Sequence, residues 1–285
     1  MFDLHVHAAP DVWQRAGDDV QILRWYEQAG FSGCVLKGHY DATAGRAQAA
    51  SHGLNLRVYG SQVLNQHVGG INPSAVAAAL TMGARVIWMP TADAHTQKAA
   101  GLPRLCWQDT NLEDAVYAVP PVDWSVVERV HQVLRLIADA DAVLATGHLS
   151  TAEVSWLLPV ARRAGVKRIL LTHPSYTVPA MSANDAAELT AHGAFAEVTA
   201  YQLLHQPDCD AQRLAAFVRT VGYNRIVLSS DGGQPTSPPP PEALLLLIDV
   251  LAAQGLDHSA LTACASDIPE RLVTPTGPTS ALGTS

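Results

Sequence analysis

The chain is short of the features that mark several large protein classes. Only 15% of its residues are charged and no block of Lys or Arg stands anywhere in it, so neither a nucleic-acid footprint nor binding to an anionic membrane surface is expected. The net charge of −8 points the same way, toward a small-molecule partner. The longest apolar run, Ala243 to Ile248, falls far short of the ~20 residues that cross a bilayer. No basic stretch with an apolar core precedes the first strand at about Met1, so no secretory leader is expected. Cys34, Cys106, Cys209 and Cys264 are scattered without a CxxC pair, which suits reduced thiols in a cytoplasm. Gly69-Gly70, Gly232-Gly233 and Gly45 make no GxGxxG opening a helix, and neither a P-loop nor a GxSxG elbow occurs. Dinucleotide, P-loop nucleotide and serine-nucleophile chemistry therefore have no motif to carry them.

What is present is apolar substance in a regular rhythm. With 285 residues, 48% of them hydrophobic, the chain can bury a deep core in one large domain. Short β-rich runs end near His7, Lys37, Leu64, Pro90, Gly147, Thr172, Thr199 and Ser230, and most lead into a segment of 3.6-residue periodicity. Eight strands alternating with helices predict a (β/α)8 TIM-like barrel, a single domain over residues 1–273 with an insertion after strand 4. Ser150 with Glu153 reads as a capping box, Asn72-Pro73 and Ser182 as helix starts, and Gly30, Gly53, Gly83, Gly165, Gly193 and Gly222 as helix stops.

The repeat of roughly 24 to 33 residues per strand doubles between Pro90 and Gly147. The surplus, about 91–121, carries Trp107 and Tyr117 ahead of a helix predicted from Asp123 to about Asp139. On a barrel rim such an excursion is a lid, a substrate wall or mere decoration. The Pro/Thr/Ser/Gly segment 274–285 has too little apolar surface to offset its ordering entropy, so a disordered tail is expected.

The chemistry sits at strand ends. In Phe2-Asp3-Leu4-His5-Val6-His7, alternation puts both imidazoles on one face, where they can grip one metal ion. Apolar strands also deliver His148, His173 and Asp231, each at the same end of its strand. In a parallel barrel these ends converge on one rim, however far apart they lie in sequence. A strand-end histidine taken alone is more often structural, and Asp231-Gly232 is a turn signal. Four histidines and an aspartate gathered at strand ends nevertheless suggest metal-dependent hydrolysis.

The set His5-x-His7 on strand 1, His148 on strand 5, His173 on strand 6 and Asp231 on strand 8 resembles the amidohydrolase superfamily, over Met1 to about Leu272. The segments VLKGHY, LNQHVGGINP, ATGHLS, LTHPS and SSDGGQP look like a poorly characterised branch of it. The resemblance implies one or two divalent ions per chain, zinc first with manganese and iron behind. His5, His7 and Asp231 would hold one ion, while His148 and His173 hold a second or help activate water. Many members bridge two ions with a carboxylated lysine from strand 4, but Arg85-Val86-Ile87-Trp88-Met89-Pro90-Thr91 offers none. Lys37, at the end of strand 2, is the substitute candidate, as a carbamate bridge or as a cation facing substrate.

Asp231, Lys37 and His173 are thus the expected catalytic residues, with Asp231 as proton shuttle for a metal-activated water. His39, Asn65, Glu197 and Arg15 are the expected substrate contacts, each with a bland alternative: a loop carbonyl partner, a turn cap, a buried ion pair, a solvated cation. Asp3 could orient a ligand imidazole, Arg46 and Arg104 could clamp a carboxylate, and Trp13 and Trp107 could wall the site. Trp88 and Trp156 are expected to pack between barrel and helices. The predicted activity is hydrolysis of a small amide, cyclic amide or lactone. Decarboxylation or C–C cleavage of a small acid is the alternative, with phosphoester hydrolysis and non-catalytic metal binding behind it. A small-molecule substrate is the expected partner, with homo-oligomer formation left open.

Overall fold

The computed structural model describes residues 1–102 and 115–275. Eight parallel strands form one sheet in sequential order, β1 (Phe2–Val6), β2 (Gly33–Leu36), β3 (Arg57–Val63), β4 (Ala84–Trp88), β5 (Val143–Ala145), β6 (Arg168–Leu171), β7 (Phe195–Thr199) and β8 (Ile226–Ser229). A parallel bridge between Val6 and Gly232 brings the last strand's extension back to the first, so the architecture is a (β/α)8 barrel. Each strand ends within two residues of its predicted end, because most are apolar runs stopped by a polar, proline or glycine-bearing turn.

The connecting helices are α1 (Asp19–Gln28), α2 (Ala44–Ala50), α3 (Pro73–Thr81), α4 (His95–Ala99), α5 (Val127–Asp139), α6 (Thr151–Arg163) and α7 (Ala183–Ala191). They continue as α8 (Ala200–His205), α9 (Ala211–Val221), α10 (Pro240–Ala253), α11 (His258–Cys264) and α12 (Asp267–Val273). Helix α5 shows why they dock: Val130, Val133, Leu134 and Ile137 recur at helical spacing and are buried, while Glu128 and Arg135 face water. Ser150 and Glu153 form the predicted capping box, and Asn72 and Ser182 cap α3 and α7. Helix α5 begins later than Asp123, whose carboxylate instead accepts from the Ser125 N–H at 2.8 Å and closes a turn. No helix among the described residues is long and apolar enough to cross a membrane.

The barrel's N-terminal end is tied by two arginines. Arg85 donates to the carbonyls of Val273 and Ala140, each at 2.9 Å, and Arg168 to those of Arg271 at 2.6 Å and Leu272 at 2.8 Å. Arg168 also holds Asp141 in a two-point ion pair at 2.9 and 2.8 Å. The C-terminal helix is thereby pinned across the floor, opposite the end where ligands bind in this architecture. Arg104 and Trp107 of the insertion, and the tail from residue 276 on, lie outside the described residues.

Candidate metal centre

Strand β1 buries Phe2, Leu4 and Val6 among the hydrophobic core and turns Asp3, His5 and His7 to the barrel interior. The seam that closes the barrel runs through these residues. The Asp231 N–H donates to the His5 carbonyl at 2.8 Å, and the His7 N–H to the Gly232 carbonyl at 2.9 Å. Gly233 has φ +111°, and a Cβ there would stand 2.1 Å from the His7 carbonyl, so only glycine allows the loop this close. Asp231 (φ +48°) and His173 (φ +22°) are themselves left-handed, a strained backbone state of the kind that collects at working sites.

The seam sets the side-chain geometry. Asp231 Oδ1 lies 3.0 Å from His5 Nε2 and 3.2 Å from His7 Nε2, and the three groups are buried. The other nitrogen of His5, Nδ1, sits 3.0 Å from Glu197 Oε1, and Glu197 Oε2 accepts the His173 main-chain N–H at 3.1 Å. With Nδ1–H committed to Glu197, a neutral His5 turns a lone pair toward the Asp231 oxygen. Two acceptors then face each other until a proton or a metal ion comes between them. Lys37 Nζ reaches the same His5 Nε2 at 2.9 Å and lies 4.4 Å from the centre of the Trp88 ring.

Burial dominates the electrostatics. It opposes charge on Asp231, yet His5 and His7 hold that carboxyl well below its usual range. Burial also works against His5, which Asp231 and Glu197 nonetheless raise in spite of Lys37. Lys37 is pushed down by burial, only partly countered by Asp231 and Glu197, which favours the free amine. Burial, then Arg15, keeps His7 well below 6.5; burial, then His173, does so for His148. His173 and His39 are lowered to about 4, chiefly by burial. Neutral rings at His7, His148 and His173 beside an ionised Asp231 are the protonation states that ligate metal, while on His5 a bound ion would take the place of the proton that Asp231 and Glu197 favour.

A cavity of about 420 Å³ opens over this cluster, lined by His7, Lys37, His148, His173 and Asp231 among others. The rings of His148 and His173 are 5.1 Å apart, and that of His173 is 6.0 Å from His5. All six residues expected to hold metal thus gather at one mouth. The expected substrate contacts divide. His39 lines the cavity and stacks on His7 at 4.6 Å; Arg15 lines it too, but Asp11 engages it at 2.8 and 2.5 Å. Asn65 is fully buried, bonding Thr91 Oγ1 at 2.9 Å and the His39 carbonyl at 3.0 Å, and is a loop tie rather than a wall. Glu197 does not line the cavity: it orients His5 from behind.

That was the role considered for Asp3, which instead accepts from Tyr26 Oη at 2.6 Å and from the main chain of His5 and Ser230. Burial outweighs these bonds and raises Asp3 to about 6. Trp88 also departs from expectation. It points into the barrel, 4.6 Å from the His5 ring. Trp13 does line the cavity; Arg46 is bound by Asp19 at 2.8 Å and Asp41 at 2.9 Å, a strap and not a clamp. The sequence reading missed Gln97, Tyr176, Tyr201 and His205 as cavity residues. Only Tyr176, three residues after His173, carried any signal, by its nearness to a strand end.

The donor set fits a divalent ion. Three nitrogen or oxygen ligands converge in a buried cluster, and the nearby His173 keeps a buried Nδ1 without a hydrogen-bond partner. Over 95% of its length the chain shares its fold with an amidohydrolase from Pseudomonas aeruginosa (TM-score 0.59, 11% identity, 94% of that chain). It also shares it with an organophosphorus hydrolase from Deinococcus radiodurans (TM-score 0.62, 13% identity, 95% of this chain and 92% of that one). A phosphotriesterase-like lactonase mutant from Deinococcus radiodurans matches at TM-score 0.59 and 13% identity, over 95% of each chain. The chain therefore shares the (β/α)8 barrel fold of these proteins. It belongs to the family described as a family of unknown function (DUF6282), whose profile matches residues 1–197. No curated protein matches the chain in sequence.

Proposed function

We propose that this protein is a metal-dependent hydrolase of small amides, cyclic amides or lactones. The observation that carries the reading is one carboxylate oxygen of Asp231 placed against the Nε2 atoms of both His5 and His7 at the mouth of a barrel. The names of the structurally similar proteins, an amidohydrolase and a lactonase, support the same chemistry. His5, His7 and Asp231 hold the ion, zinc before manganese or iron, with His148 and His173 as further ligands. A divalent ion held there supplies a water of lowered pKa and positive charge for a developing oxyanion.

The chain's own groups do the rest. Asp231 lines the cavity with its carboxyl held ionised, so it accepts the proton of the attacking water and returns it to the leaving group. Glu197 keeps the His5 proton on Nδ1, leaving Nε2 for metal. Lys37, moved by burial toward the free amine, is in the form that takes up CO2 and as a carbamate would be a further metal ligand; as the ammonium cation it would instead face and polarise the substrate oxygen. His39 and Arg15 bound the substrate on one side, Tyr176 and Tyr201 on the other.

Metal analysis of protein purified without chelator, with hydrolysis measured on lactones, cyclic amides and an aryl phosphotriester, tests the reading. Bound metal and turnover of a lactone or amide are expected, with metal lost in His5→Ala. Full metal in both His5→Ala and Asp231→Asn would contradict the ligand set. Two ions retained in Lys37→Met would remove the carbamate bridge alone.

A further inference from the structure

Among the described residues, the excursion after β4 is hydrogen-bonded to His148 three times. The His148 N–H donates to the Pro90 carbonyl at 2.9 Å. Its carbonyl accepts from the Thr96 hydroxyl, and its ring Nδ1 lies 3.0 Å from Gln97 Oε1. Gly147, just before it, has φ +58°, and a Cβ there would stand 2.3 Å from the Met89 carbonyl and 2.5 Å from that of Pro90. The chain leaving β4 is therefore wrapped around the end of β5 at backbone contact.

The arm that carries Thr96 and Gln97 is itself anchored. The His95 N–H donates to the Tyr117 carbonyl at 3.0 Å, and the Tyr117 N–H to that of Asp93 at 2.8 Å. The Asp93 carboxylate accepts from Tyr40 Oη and from the Gln66 N–H, both at 2.7 Å. Glu153 joins α6 to the same excursion by accepting the Val119 N–H at 2.9 Å. Gln97 is buried although it lines the cavity.

We propose that α4 is an arm of the metal centre, with Gln97 a positioning residue that fixes the tautomer and aim of His148. This rests on His148 being a metal ligand. An amide oxygen at Nδ1 holds the proton there and leaves Nε2 bare for the ion. Thr96 and Pro90 fix the backbone that carries the ring, so ring and main chain are held by one segment. His5 is served differently, by the carboxylate of Glu197. A carboxylate makes its imidazole a stronger donor than an amide does, so His148 is the more weakly basic of the two ligands. The surplus after strand 4 thereby has a task in the site beyond that of a lid, a wall or decoration.

The test uses full-length protein as wild type, Gln97→Met, Gln97→Glu, Thr96→Val and His148→Ala. Two readouts are taken: zinc affinity by chelator competition, and long-range 1H–15N NMR of the metal-free histidines at neutral pH. In the wild type the neutral His148 should carry its proton on Nδ1. Gln97→Met, similar in shape but without the acceptor, should lose that preference and weaken zinc binding about 10- to 100-fold. Gln97→Glu should restore both, and Thr96→Val should keep the tautomer while weakening zinc by a smaller factor. A His148 protonated on Nε2 in the wild type, or a Gln97→Met protein unchanged in both readouts, overturns the proposal. If Gln97→Met does not fold, zinc binding by Gln97→Glu or Thr96→Val decides: loss in the former, or no change in the latter, counts against the arm. Full zinc binding by His148→Ala would instead remove the ligand assignment beneath it, a different failure.

Discussion

Both ends of the barrel bury charged and polar side chains, but they treat them in opposite ways. At the N-terminal end Arg85 and Arg168 spend their donors on main-chain carbonyls and on Asp141. At the C-terminal end His7 and His173 each keep a buried nitrogen without a hydrogen bond, that of His7 standing 3.8 Å from an Asp11 oxygen, and His173 and Asp231 sit in a left-handed backbone. Buried polar groups are normally satisfied, so a cluster that is not satisfied by the protein itself is a cluster meant for something else. The floor holds the fold together, and the mouth holds a place for a ligand.

Substitutions should separate the two ends. The largest effect is expected from Asp231→Asn, which should lower turnover about 10²- to 10⁴-fold by removing the proton acceptor. Asparagine tolerates the left-handed backbone, so thermal unfolding of the metal-free variant should stay close to wild type. Arg168→Met should do the reverse, lowering stability by about 2–4 kcal/mol through the stranded carbonyls and Asp141 while leaving zinc affinity unchanged. Denaturant unfolding and metal titration on the same two proteins read both outcomes. A floor variant that lost its metal, or a mouth variant that unfolded, would blur the division.

Glu197→Gln should be intermediate. It keeps an acceptor for the His173 N–H but gives His5 a neutral partner, and zinc affinity should fall about 10- to 100-fold with little loss of stability.

The smallest effect is in the pH dependence of the metal-free protein. His173 has its folded pKa lowered to about 4, chiefly by burial, against an unfolded value of about 6.5. The unfolded chain therefore binds the extra proton first, and this residue's contribution to stability is complete above about 6.5 and lost as pH falls toward 4. Asp3 works the other way, its folded pKa raised to about 6, so the variant comparison isolates the histidine. The stability gap between wild type and His173→Asn should rise with pH across that window and be flat above it; a gap constant from pH 4 to 7 would remove the effect.

The mouth was more legible in the sequence than the supports behind it, for a physical reason. A strand-end ligand announces itself by residue type at a fixed place in a repeating βα rhythm, which is how His5, His7, His148, His173 and Asp231 could be picked out together. Lys37 was legible by parity alone. Glu197 was legible as a buried acid, but its partner depended on which side of β7 faced His5, and that is decided by barrel closure. Trp88 was misplaced because an apolar residue suits either side of a strand buried on both faces. Gln97 and Thr96 were invisible: they sit in a segment with no periodicity, and their meaning comes from a fold-back onto β5 that no local pattern encodes.

The central claim is that the β1–β8 seam builds a cation site. Anomalous diffraction from crystals of the zinc-loaded protein tests it most directly. A peak bounded by Nε2 of His5, Nε2 of His7 and the Asp231 carboxylate is the expected result. A strong peak elsewhere, or none at that position from protein shown to contain zinc, would contradict it.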